Sequence, residues 1–151
     1  MEELAAAYQS AGEQVYVVRN GATTGQGALG YPAAVVEMKR QCEDLGIGRM
    51  TIFAPGGNGG DAAGLIYGNQ LMGQPFRIVI VSVEDDRETL TAHIRSTISE
   101  AEEITGLPMN VPVEQAAEIT DAYRGGGWGE NTEESQQAVL SFARSEGIFI
   151  E

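Results

Sequence analysis

The sequence predicts an α/β fold in which a parallel sheet is flanked by helices, with residues 1–151 forming a single domain. Three observations carry this expectation. Short β-branched apolar runs alternate with longer stretches of helical periodicity, the pattern of repeated strand–helix units. The run from Phe76 to Val83 is apolar apart from Arg77 and Ser82, as expected of a buried parallel strand. A glycine-rich turn, Ala54-Pro55-Gly56-Gly57-Asn58-Gly59-Gly60-Asp61, separates a strand-like run from a helix-like one. Right-handed crossovers between such strands give a parallel sheet covered on both faces.

The expected order is helix, strand, helix, strand, helix, strand, helix, an unassigned stretch, helix, strand. Val15-Tyr16-Val17-Val18 is the first strand candidate. The loop from Asn20 to Gly27 leads into a helix running to about Asp44. Tyr31, Val35, Met38, Cys42 and Leu45 fall there at helical spacing, with Lys39, Arg40 and Glu43 on other faces. Arg49-Met50-Thr51-Ile52-Phe53 reads as a strand and Ala62 to Met72 as a buried helix. Asp85 and Glu88 form a capping-box pattern, and Leu90, Ile94, Ile98, Ala101 and Ile104 make the buried stripe that follows. Residues 107 to 124 contain Pro108 and Pro112 and take no firm assignment. Asn131 and Glu134 cap a last helix that turns Ala138, Val139, Phe142 and Ala143 inward, and Ile148-Phe149-Ile150 reads as the start of a strand.

Composition narrows the function classes. A formal net charge of −13 argues against a nucleic-acid partner and against an anionic membrane surface. It also repels anionic ligands at long range, so a phosphate site must work through local donors. No apolar run is long enough to span a bilayer and no segment resembles a signal peptide, so the expected location is cytoplasmic. The single cysteine, Cys42, excludes an internal disulfide and fits a small core residue. His93, the one histidine, has no second metal ligand at a suitable interval, so no metal site is expected.

The glycine-rich turn is the chemical signal. Glycines let successive backbone N–H groups converge on an anion where a helix begins, and there orphan donors and the macrodipole both favour negative charge. Ligands of open parallel sheets bind beyond the carboxyl ends of strands, where this turn falls. The plain alternative is a tight strand-to-helix turn with no ligand.

Four segments extend the signal. Val17 to Tyr31 holds a strand-like run and a glycine-rich loop ending in Gly27-Ala28-Leu29-Gly30-Tyr31. Gly57 to Leu65 is similar to G-S-G-G-T-x-A-G-L. Gly127-Trp128-Gly129 with Thr132 and Glu133 is similar to G-Y-G-x-P-T-x-E, and Ala143-Arg144-Ser145-Glu146-Gly147-Ile148 to A-R-x-E-G-I. Together, over about residues 14 to 151, they resemble the pyridoxal-phosphate-dependent family of D-cysteine desulfhydrase and 1-aminocyclopropane-1-carboxylate deaminase, which has the tryptophan synthase β-like fold.

The resemblance implies part of that fold's large domain, with pyridoxal phosphate held by Gly56, Gly57, Asn58, Gly59, Gly60 and Asp61. It implies Thr23, Thr24 and Trp128 on the side of a small amino-acid substrate, and association as a homodimer. The family's Schiff-base lysine lies upstream in an asparagine–lysine context. Lys39, the one lysine, sits mid-helix on a charged face with no asparagine before it. The family also continues through P-V-Y-[TE]-G-K where this sequence stops at Glu151. The expectation is therefore a truncated lyase or deaminase domain, inactive alone and with no catalytic residue of its own. Asp61 stands where the family has threonine and Asn58 where it has serine. Thr23 and Thr24 replace serine and asparagine, and Trp128 replaces a tyrosine with its phenol.

Two other functions compete. Asn58-Gly59-Gly60-Asp61 is similar to the N-N-G-G-D-G loop of the NAD(P)HX epimerase family, which implies a nucleotide-binding domain. A non-catalytic binding or interaction module is the third reading.

Overall fold

The computed structural model describes residues 1–150. Helix α1 (Glu2–Ser10) is followed by a 3-10 turn (Asn20–Ala22), the short α2 (Gly25–Ala28) and α3 (Gly30–Leu45). The strand–helix units then run β1 (Thr51–Gly56), α4 (Gly60–Leu71), β2 (Arg77–Ser82), α5 (Arg87–Thr105), α6 (Val113–Ala116) and β3 (Glu118–Thr120), and α7 (Glu133–Glu146) closes the described chain. The strands form one sheet in the order β1-β2-β3, both pairings parallel. Thr51 stands opposite Arg77 and Gly56 opposite Ser82, while Val79 to Val81 pair with Glu118 to Thr120.

This register sorts the side chains onto two faces, because successive strand residues point opposite ways. Ile52, Ala54, Ile78, Ile80 and Ile119 lie on one face and join Ala62, Ile66, Leu90, Ile94 and Val35 in a continuous core. The other face carries Phe53, which is 71% exposed, with Pro55, Arg77 and Glu118 also open, and Val79 is its one buried strand residue. Coverage on both faces was the sequence expectation; among the described residues the core occupies one.

α4 is buried from Ala62 to Asn69, apolar on every side as a helix between two layers must be. Glycines make the outer layer possible. A Cβ on Gly68 would lie 2.5 Å from Pro32 Cα, so α3 and α4 touch backbone to backbone. Asn69, 1% exposed, is satisfied in place: its Nδ2 donates to the Phe76 carbonyl at 2.9 Å and its Oδ1 accepts the Phe76 N–H at 3.1 Å.

Several expected elements differ. Val15 to Val18 form no strand: among the described residues no neighbouring strand takes their N–H and C=O groups, and Tyr16 is 84% exposed. Ile148-Phe149-Ile150 is likewise exposed and unpaired. The unassigned stretch holds α6 and the third strand, β3, which at three residues is too short for a periodicity to show. α5 is capped by Asp86, not Asp85, whose side chain accepts the Thr89 N–H at 2.8 Å. Four residues of its stripe are buried, but Ile104 is exposed. The contact at that end is polar, Tyr67 Oη meeting Thr105 Oγ1 at 2.6 Å and the Leu107 carbonyl at 2.7 Å. Tyr31 and Leu45 are also exposed, leaving Val35 and Cys42 as the buried positions of α3. α7 has a reciprocal cap between Thr132 and Ser135 in place of Asn131 and Glu134, and none of its residues is buried, so Ala138 and Phe142 do not turn inward.

Candidate functional site

The glycine turn lies where the sequence places it, between the carboxyl end of β1 and the amino end of α4. Packing dictates its residues. A Cβ on Gly56 would stand 2.6 Å from Leu90 Cδ2 and 2.7 Å from Ile80 Cγ2, so only glycine lets the strand end against α5. Gly59 caps α4 at φ +85, a left-handed conformation that glycine adopts without strain. Among the described residues, no intramolecular partner takes the N–H groups of Gly57, Asn58, Gly59, Gly60, Asp61 or Ala62. These donors cluster at the positive end of the α4 dipole, the arrangement that binds an anion.

A second loop forms the cup's other wall. The 3-10 turn places Asn20 Nδ2 3.3 Å from Asn58 Oδ1, donating to it. A Cβ on Gly60 would lie 3.2 Å from Thr23 Oγ1, so Thr23 presents its hydroxyl beside the first turn of α4. Thr24 does not share this position: its Oγ1 accepts the Gly27 N–H at 3.0 Å and caps α2. Asp61, half-buried in the first turn of α4, has no hydrogen bond or ion pair to its carboxylate among the described residues. Trp128 is 75% exposed in the irregular segment before α7, with no hydrogen bond to the cup among the described residues.

Lys39 pairs with Glu43 one turn along α3 at 3.0 Å and stays half-exposed, away from the cup. Cys42 is buried in the core. His93 Nδ1 lies 3.5 Å from Asp85 Oδ2 on the surface, and no group of three or more His, Cys, Asp or Glu among the described residues is placed to hold a metal ion. No described helix is long and apolar enough to cross a membrane.

Sequence reading missed Asn20, Arg19 and Glu100. Glu100 binds the second loop from 81 residues away, at a distance no spacing rule reaches: Arg19 donates to its Oε1 at 2.6 Å and the Gly25 N–H to its Oε2 at 2.9 Å. These bonds hold the Glu100 carboxyl below the usual carboxylate range, the Arg19 hydrogen bond contributing most.

A cavity of about 760 Å³ opens at the other end of the sheet, lined by Arg49, Arg77, Arg87 and Arg95 among others. Arg77 pairs with Glu118 at 2.6 Å and Arg95 with Glu114, so half its cations are already neutralised. None of the glycine-turn residues lines it.

The family model described as "Pyridoxal-phosphate dependent enzyme" matches residues 1–151. A Pyrococcus horikoshii protein named "Putative 1-aminocyclopropane-1-carboxylate deaminase" is 32% identical over 150 residues, and a Pyrococcus abyssi protein of the same name is 26% identical. Each comparison covers 99% of this chain and 44% of the relative, so the chain spans less than half the length of these curated relatives. A crystal structure described as an ACC deaminase homologue superposes with a TM-score of 0.80 at 31% identity, over 99% of this chain and 44% of that one. The fold is thus that of the ACC deaminase homologue, as the motifs implied.

Proposed function

The chain belongs to the pyridoxal-phosphate-dependent enzyme family, and from that premise we propose that it supplies the phosphate-binding part of a lyase or deaminase acting on a small amino acid. One observation carries the reading: the N–H groups of Gly57 to Asp61 have no partner among the described residues at the start of α4, beside the Thr23 hydroxyl. Such a donor set fits a phosphate dianion. When bound, pyridoxal phosphate supplies an electron sink for bond breaking at the substrate's α-carbon. The chain's own contribution is to bind and orient it. The backbone donors would fix the phosphate, Thr23 would add a hydroxyl beside the first turn of α4, and Asn20 ties the Asn58 side chain to the second loop.

The covalent step needs a lysine amine that burial or a neighbouring charge keeps deprotonated. Lys39 offers neither, being half-exposed and paired with Glu43. The chain alone is therefore inactive in this reading. 1-Aminocyclopropane-1-carboxylate is the first substrate to test, since the relatives' names carry it, and D-cysteine the second. Work in the cytoplasm and association through the open sheet face around Phe53 complete the proposal.

Titration of 15N-labelled protein with pyridoxal phosphate, pyridoxal and NADPH tests the reading. The amides of Gly57 to Asp61 are expected to shift with pyridoxal phosphate and not with pyridoxal, which lacks the phosphate. Shifts with NADPH alone transfer the site to the epimerase-like reading, and no shift with any of the three leaves an interaction module.

A further inference from the structure

We propose that Glu100 is a positioning residue for the anion cup, fixing the Asn20–Thr24 loop so that the Thr23 hydroxyl stands against the start of α4. The inference rests on the phosphate-binding reading above. Its geometry is a two-point clamp. One carboxylate oxygen of Glu100 accepts from Arg19 at 2.6 Å and the other from the Gly25 N–H at 2.9 Å, so a single side chain grips both ends of the five-residue loop. Gly25 lies flat on α5: a Cβ there would fall 2.5 Å from the Glu100 carbonyl carbon and 2.6 Å from the Ala101 nitrogen.

The loop between these points needs holding. Gly21 has φ +64 and Ala22 φ +52, and the second is a conformation that a residue with a Cβ adopts at a cost. Gly27 packs beneath it, since a Cβ on Gly27 would lie 2.3 Å from the Ala22 carbonyl oxygen. Freed from Glu100, the loop can relax towards ordinary backbone angles and carry Thr23 away from Gly60. An exposed ion pair by itself contributes little. The backbone N–H of Gly25 is what makes the clamp geometric rather than merely electrostatic.

The test is a double-mutant cycle on inorganic phosphate and pyridoxal phosphate affinity, read by calorimetry, with thermal melts to confirm that each variant folds. Thr23→Ala is expected to weaken binding about threefold to tenfold, the size of one hydrogen bond. Glu100→Ala should do the same, and the double variant should be no weaker than Glu100→Ala alone, because coupled residues are non-additive. Glu100→Gln keeps an acceptor for Gly25 and should fall between Glu100→Ala and the parent. Amide exchange at Ala22 and Thr23 should quicken in Glu100→Ala, without a matching change in α4. Multiplying losses in the double variant, or parent-like affinity in Glu100→Ala, overturn the inference while leaving the phosphate site standing. No binding by the parent protein overturns the site itself and the clamp's purpose with it.

Discussion

A Cβ placed on Gly64 would stand 2.2 Å from the carbonyl oxygen of Ala28 and 2.7 Å from Tyr31 Cβ. Gly64 sits one turn into α4, and Ala28 ends the short helix that follows the Thr23 loop. The helix bearing the anion cup is thus pressed against the segment bearing its second wall. Gly64→Ala should force these backbones apart and cost about 1–3 kcal/mol, the usual size of core overpacking. Urea denaturation measures it, and the same variant should weaken phosphate binding.

Asn69 is the second point where structure and stability meet. It gives Phe76 both a donor and an acceptor inside the core, joining the end of α4 to the approach of β2. Asn69→Ala leaves the Phe76 N–H and carbonyl unpaired, at about 1–3 kcal/mol for each group. Asn69→Asp keeps the acceptor, loses the donor and buries a charge, so it should be at least as damaging. Equilibrium unfolding of the two variants checks the order.

Asp86 links α5 to pH. The Thr89 N–H it accepts, first among the causes, holds its carboxyl below the ordinary value of 3.8. A group with a lowered folded pKa stabilises above its unfolded pKa, and the contribution disappears as pH falls through the folded one. Asp86→Asn caps nearly as well without titrating. The parent should therefore exceed this variant in stability at neutral pH by a margin that disappears as pH falls through the lowered carboxyl pKa. Melting curves across that range are the measurement, and a margin independent of pH contradicts the cap's role.

How much of this was legible beforehand depends on the reach of each signal. The glycine turn, β1, α4 and β2 follow from local chemistry: positive-φ glycine, apolar runs and strand–helix alternation act within a dozen residues. Thr23 was named through motif order as a substrate-side residue, and its hydroxyl lies beside Gly60. Thr24, named with it, is a helix cap whose chemistry is local and structural. Apart from the shifted caps and the short β3, the failures are questions of partners. Val15 to Val18 and Ile148 to Ile150 have strand composition but no adjacent strand among the described residues, and composition does not supply one. The face of α7 is amphipathic in sequence yet meets no core. Glu100 was invisible because its meaning lies in Arg19 and Gly25, far along the chain.

Lys39 provides a negative test of chemistry. Its ammonium is paired with Glu43 one turn along α3 and half-exposed. Borohydride reduction of the protein mixed with pyridoxal phosphate should leave no cofactor attached to Lys39 beyond the level of a free surface amine. Stoichiometric labelling at Lys39 by peptide mass spectrometry, with turnover lost in Lys39→Ala, overturns the inactive-alone reading.

Under the proposed phosphate-binding reading, Asp61 is the residue that discriminates between ligand classes. It lies in the first turn of α4, half-buried, with no hydrogen bond from a backbone N–H or side chain among the described residues. The helix dipole favours a carboxylate here, so the residue is stabilising without ligand. A bound phosphate reverses that sign. Two unit charges ~4 Å apart repel by roughly 1 kcal/mol in bulk water and about 4 at an effective dielectric of 20. Threonine at the same position removes the repulsion and offers a hydroxyl donor. Asp61→Thr should therefore bind inorganic phosphate and pyridoxal phosphate at least about fivefold more tightly, the low-end repulsion converted at room temperature. Its unliganded form should lose about 0.3–1 kcal/mol of helix stability. Equilibrium dialysis of the two proteins decides between ligand classes. If the aspartate form binds the anion as tightly or more so, its carboxylate is accepting from the ligand, as it would from a ribose hydroxyl, and the cup belongs to a nucleotide.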